Sequence, residues 1–152
     1  MNLSWQFKYF TELTTVEFHD LIALRLNAFV MEQNAKYVDL DGKDKKCYHM
    51  ICRDGFGNIV ATARIIPAGI SYQEVSIGRA VVASEIRGNQ FGVELLNRCM
   101  IFIKEEFGDV PVRISAQKHL EKFYTRFGFE STSNEYEEAG IHHVEMLYTP
   151  KN

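Results

Sequence analysis

The sequence predicts an α/β fold: a mixed, mostly antiparallel central sheet flanked by helices. Three observations carry that prediction. The apolar spacing switches between a period of two and one of about 3.6 residues, giving the order β-α-β-β-β-α-β-α-β-β. That order lacks the strict strand-helix alternation of a parallel winding. The length of 152 residues, 46% hydrophobic and 24% charged, suits one domain spanning 1–152 with enough apolar surface for a core.

The elements follow in turn. "SWQFKYF" alternates as a strand. Thr14 opens a helix, with Glu17 three residues on completing a capping box and Leu13 and Phe18 placed for a hydrophobic staple. Phe18, Leu21, Ile22, Leu26, Phe29 and Val30 form its apolar face. Residues 32–46 are polar and turn-rich, with Asp41-Gly42 as a turn signal. "CYHMICRD" and "NIVATARII" flank "GFGN" as a hairpin, and "QEVSIGRAVV" is a further strand. A helix runs from Asn89 to Phe107 and stops at Gly108. "VPVRISA" is a strand, and a helix from Gln117 to Phe127 ends at Gly128. "FESTSNEY" and "HHVEMLYTP" close the chain as strands.

Composition excludes several function classes. The net charge is −3, from 17 basic and 20 acidic residues, so no nucleic-acid partner is expected. The short "KDKK" at 43–46 reads as a solvated turn. No stretch approaches the roughly 20 apolar residues of a membrane span, so no membrane partner is expected. "MNLSWQFKYF" has no basic head before an apolar run, and three cysteines make an odd, sparse set; a cytoplasmic location is expected. Cys47, His49 and Cys52 do not make a four-ligand zinc pattern, and no metal is expected. Cys99 falls within the long helix as a core residue.

The chemistry gathers at "IRGNQFGVELL", directly after a strand. A helix N-terminus has unpaired N–H groups and a positive partial charge that attract phosphates. Arg87 adds a guanidinium fork, and Gly88 and Gly92 add clearance. A plain strand-to-helix turn would use the same glycines. The stretch is neither a Walker loop nor a dinucleotide fingerprint.

"VVASEIRGNQFG" resembles the acyl-CoA loop of the GNAT N-acetyltransferase superfamily, with Gln90 where a glycine is usual. "AQKHLEKFYTRFGF" is similar to that superfamily's second signature, through Gln117, Tyr124, Gly128 and Phe129. "RLNAFVMEQ", "YVDLDG", "TARII", "IGRAVV" and "YEEAGIHHVEM" resemble the ElaA-like branch in order along nearly the whole chain. The resemblance implies a GNAT acyl-CoA N-acyltransferase fold, its sheet splayed in the middle, with the pantetheine arm of acetyl-CoA in the gap. It assigns the pyrophosphate to Arg87, Gly88, Asn89, Gln90, Phe91 and Gly92, the amide position to Gln117, and the strand edge beside the arm to Ala80, Val81 and Val82. The Val82 N–H would meet the thioester oxygen, and Tyr124 would protonate the leaving thiolate. Periodicity alone makes Tyr124 a core aromatic beside Leu120, Phe123 and Phe127.

An amine acceptor must lose a proton, and Glu32, Asp39, Asp41, Glu74, His143 or a water chain would take it. Asp39 and Asp41 would make an acidic lip attractive to a cationic amine. Arg64 and Arg79 interrupt apolar strands; they either pair with Glu32, Asp39 or Asp41 and brace the acceptor pocket, or point outward. Glu32 and Gln33 would wall that pocket. The expected function is acetyl transfer to a primary amine of a small molecule or peptide in a ternary complex. A longer acyl donor, suggested by the Arg-x-x-x-Phe in "RLNAF", and a non-catalytic CoA sensor are the alternatives. If "HHVEMLY" is an edge strand, a homodimer could pair through it.

Overall fold

The structure is a computed structural model that describes residues 2–34, 38–88 and 90–151. Its elements follow the predicted order: β1 (Ser4–Tyr9), α1 (Thr15–Leu26), β2 (Tyr48–Arg53), β3 (Ile59–Ile66), β4 (Ser76–Val82), α2 (Phe91–Phe107), β5 (Val112–Gln117), α3 (Glu121–Thr125), β6 (Phe129–Glu138) and β7 (Ile141–Tyr148). The strands make two antiparallel sheets, ordered β1-β2-β3-β4 and β5-β7-β6. One parallel bridge, Val75 to Val112, joins them, and the Arg113 amide donates to the Val75 carbonyl at 2.9 Å. Beyond that apex β4 and β5 part, so β4 leaves one edge unpaired among the described residues.

The core explains why the sheets share one body. Leu95, Cys99 and Ile103 of α2 pack with Met50 and Ala61 of the first sheet and with Val112, Ile114 and Met146 of the second. Burial pushes the Cys99 thiol up to about 12, as befits a core cysteine. The capping box at Thr14 forms as predicted: the Glu17 amide donates to Thr14 Oγ1, and the Thr14 amide donates to Glu17 Oε1, both at 3.0 Å. Ala139 and Gly140 both have positive φ, 54° and 80°, and turn β6 tightly into β7.

Five expectations need correction. "HHVEMLY" is no edge: β7 lies between β5 and β6, so the strand offered for subunit pairing is already paired on both sides. The apolar face predicted for α1 slips, with Leu26 42% exposed and Arg25 1% exposed. After Leu26 the helix widens into a π-helical segment, Asn27–Glu32, which carries its last residues around the axis. "KDKK" is no solvated turn, because its Asp44 is 3% exposed in a 3₁₀ turn, Asp44–Lys46. The helix expected from Gln117 to Phe127 is a 3₁₀ turn, Lys118–Leu120, followed by the short α3. The helix expected from Asn89 starts at Phe91; Gln90 caps it in the left-handed region at φ 57°, and Asn89 lies outside the described residues.

Candidate active site

The open edge of β4 is shaped by a bulge. Thr62 faces Val81 and Arg64 faces Gly78, so β4 spends one extra residue, and Arg79 takes φ 51°. Beyond the bulge the amides alternate. The Ala83 N–H donates to the Val60 carbonyl at 2.8 Å, towards β3. The Val82 N–H therefore points the other way, out of the sheet edge.

A narrow cleft of about 260 Å³ runs along that edge, lined by Ala80, Val81, Val82 and Arg87 on one side and Ala28, Phe29, Glu32 and Gln33 on the other. Two contacts cross it. Arg87 donates Nε to the Val82 carbonyl at 2.9 Å and makes a two-pronged ion pair with Glu32 at 2.7 and 3.0 Å. The Arg87 guanidinium holds the Glu32 carboxyl below the usual range. Gln117 at the end of β5 donates to Gln33 at 3.2 Å. Thus Glu32 pairs with Arg87, and not with Arg64 or Arg79 as the sequence allowed.

The loop before α2 keeps its backbone open. Gly88 has φ 94° with nothing near the place a Cβ would occupy, and Gly92 faces the Phe123 ring at 3.6 Å. The Gly92 N–H has no acceptor among the described residues, as the first turn of a helix dictates. Arg126 lies 5.7 Å over the Phe123 ring that faces Gly92. Sequence reasoning passed over it.

A wider cleft of about 440 Å³ opens between the sheets. Tyr124 lines it, packed edge-on to Phe123 and Phe129 at 5.2 and 5.8 Å. Burial pushes its phenol up to about 12, so the ring keeps its proton. The second sheet contributes a polar wall. Tyr136 donates to Ser115 at 2.6 Å, and Ser115 donates to Glu138 at 2.9 Å. His143 stacks on Tyr136, its ring 6.2 Å away, and places Nδ1 2.7 Å from the Ile141 carbonyl. A carbonyl only accepts, so Nδ1 carries the proton and the neutral ring has its lone pair on Nε2. That atom lies 3.7 Å from Glu138.

The first sheet contributes a buried ionic wall. Arg25 reaches Asp39 at 3.0 Å and Asp44 at 2.9 Å. Arg64 bonds Asp41 at 2.9 Å and Asp44 at 3.1 Å, and Arg79 reaches Asp39 at 3.2 Å and Asp41 at 3.4 Å. Burial pushes the Asp41 carboxyl up, but Arg64 and the Lys43 amide outweigh it and hold it at about 2. Arg64 and Arg79 therefore point inward as braces. The expected acidic lip does not form, because three guanidinium groups neutralise Asp39, Asp41 and Asp44. Glu74, a candidate base, is instead tied to Arg113 through both oxygens at 2.9 and 3.0 Å.

Sequence reasoning missed Arg25, Lys43, Asp44, Tyr136 and Glu138. Arg25 left a signal: it stands four residues after Leu21, on the face that helical spacing buries. Lys43 and Asp44 left none, since Ser71, Arg25 and Arg64 are distant in sequence; Tyr136 and Glu138 lie within the "YEEAGIHHVEM" stretch beside His143, where only pairing across β6 and β7 reveals their contact.

Two sheets splayed from one apex, with an open strand edge beside a helix N-terminus, define the acyl-CoA N-acyltransferase fold. Residues 26–150 match the family described as acetyltransferase (GNAT) domain, and the chain belongs to that family. It is similar to protein ElaA of Escherichia coli (strain K12), 36% identical over 95% of each chain, and to a UPF0039 protein of Schizosaccharomyces pombe, 39% identical over 95% of this chain and 96% of that one. Among solved structures it is similar to an acyl-CoA N-acyltransferase from Pseudomonas aeruginosa, with 33% identity, a TM-score of 0.92 and coverage of 97% of this chain and 100% of that one. The E. coli ElaA structure gives 34% identity, a TM-score of 0.88 and coverage of 96% and 99%.

Proposed function

We propose that this N-acyltransferase moves an acetyl group from acetyl-CoA to a primary amine by direct attack in a ternary complex. The open edge of β4 carries the reading: Val82 aims an unpaired N–H into a cleft that begins at a helix N-terminus. The pyrophosphate would rest on the Gly88–Gly92 backbone, with Arg87 exchanging Glu32 for phosphate. The pantetheine arm would lie along Ala80, Val81 and Val82 as an added strand.

The residues then divide the chemistry. The amine nitrogen attacks the thioester carbon, and the Val82 N–H receives the charge that develops on oxygen. His143 Nε2 takes the amine proton, and Glu138 steadies the imidazolium so formed. The carbon–sulfur bond breaks, and Tyr124 gives its proton to the thiolate. Arg64 and Arg79 put charged groups on the wall of the wider cleft, which favours a short acyl group there over a long apolar chain.

Calorimetric titration with acetyl-CoA, free CoA and a long-chain acyl-CoA tests the reading on wild type and Gly92→Glu. Acetyl-CoA and CoA should bind the wild type, and the glutamate should abolish binding without changing the thermal midpoint. Equal affinity in the two proteins would sink the phosphate-loop assignment. Preference for the long chain would replace acetyl by a larger group, and binding without thiol release across an amine panel would favour a sensor.

A further inference from the structure

We infer that the acceptor amine carries an anionic group, which Lys43 and Ser71 bind. The inference rests on the N-acyltransferase reading and specifies its acceptor. The first-sheet wall contains three guanidinium groups, from Arg25, Arg64 and Arg79, and three carboxylates, from Asp39, Asp41 and Asp44. These six charges cancel. Lys43 is a further cation, on the cleft that Arg64 and Arg79 also line, and its ammonium is 2.8 Å from the neutral Ser71 hydroxyl. No carboxylate lies within ion-pair distance of it among the described residues.

A half-buried ammonium without a counter-charge is a place for an anion. Ser71 can turn its own proton to the same ligand, since a hydroxyl donates as well as accepts. The opposite wall has the other sign: Glu138 and His143 face the cleft from the second sheet. The cleft is thus dipolar. An amine with a carboxylate or a phosphate a few bonds away would lie across it, nitrogen towards His143 and anion towards Lys43. A simple alkylamine would leave the Lys43 end unmatched.

The test compares matched acceptors on the full chain, as wild type and Lys43→Met. The pairs are an amino acid against its carboxamide, and phosphoethanolamine against ethanolamine; the readout is kcat/KM from thiol release, alongside acetyl-CoA affinity. The anionic member should be favoured by at least about tenfold in wild type, the size of a charge-assisted contact. Lys43→Met should erase that preference while neutral amines and acetyl-CoA affinity stay as they were. Whichever pair shows the effect distinguishes carboxylate from phosphate. Equal use of both members, or an equal loss on both in the variant, would overturn the inference. A binding readout independent of turnover is titration of an N-acetylamino acid and an N-acetylated amino phosphate in the presence of free CoA. Absence of binding by wild type, or binding unaltered by Lys43→Met, also overturns it. Failure of acetyl-CoA itself to bind would instead strike the transferase reading.

Discussion

At the scale of single residues, the proposed mechanism divides proton movement between two side chains on one cleft, Tyr124 and His143. Tyr124 has a phenol that burial keeps protonated, and its hydroxyl has no hydrogen-bond partner among the described residues, so the proton is available to a thiolate. Tyr124→Phe should lower kcat by about 10²-fold or more, a usual size for a lost general acid, with acetyl-CoA affinity retained. Near-normal turnover would return the ring to a packing role. His143 differs in being oriented: its Nδ1–H is spent on Ile141, which leaves Nε2 to serve as the proposed base. The titratable and charged groups around it are Glu138 and Tyr136 on the neighbouring strand β6 and, across the cleft, Tyr72, Tyr124, Lys43, Asp41, Arg64 and Arg79. His143→Gln should remove most of the rate with acetyl-CoA affinity retained; near-normal turnover would assign the proton to another group. In the proposed binding mode Glu32 competes with phosphate for Arg87. Glu32→Gln should therefore tighten acetyl-CoA binding by about threefold at low salt, the scale of an exposed ion pair, and the gain should shrink as salt screens the pair in wild type. Weaker binding in that variant would mean that Glu32 serves the ligand and does not compete with it.

At the scale of elements, α1 is held by charges more than by an apolar stripe. Arg25 is 1% exposed and is the tie between α1 and the 39–44 segment. Arg25→Met leaves Asp39 and Asp44 short of a partner, so unfolding in urea should show a loss of about 3–5 kcal/mol. A loss below about 1 kcal/mol would mean that water reaches the cluster and solvates it. The same charges explain what the sequence could and could not disclose. Element order was legible because each boundary is local chemistry: the Thr14–Glu17 box, Gly108 at φ 86° after α2, and Gly128 at φ 92° after α3. The loop proposed for the phosphates is one contiguous stretch, so its arginine and glycines stand together in the sequence. Arg64 and Arg79 stood out as arginines in apolar strands, but their partners lie 20 to 40 residues away. Nothing local says that Asp44, inside "KDKK", is the one buried member of that run. The slip of the α1 face at Asn27–Glu32 and the central place of β7 also depend on packing that periodicity does not encode.

At the scale of the whole molecule, the two sheets are joined by a single bridge, and the proposed site lies in the gap that opens beyond it. Arg113 clasps that apex three ways: its amide bonds Val75, its guanidinium bonds both oxygens of Glu74, and it reaches Glu145 of β7 at 2.7 Å. Glu74 immediately precedes Val75 on the approach to β4, so the clasp joins the first sheet to β5 and β7 of the second. Arg113→Leu removes the ionic part and leaves the backbone bond. Loss of such a half-buried pair should cost about 1–2 kcal/mol. Ile103→Val, a core trimming of similar cost at about 0.5–1.5 kcal/mol, provides the control, because it loosens α2 packing without touching the apex. If the apex sets the width of the gap, Arg113→Leu should weaken acetyl-CoA binding several-fold while Ile103→Val, equally destabilised, binds as wild type does. Parallel losses in both variants would make ligand affinity a function of overall stability, and the clasp would then be a fastening with no part in shaping the cleft.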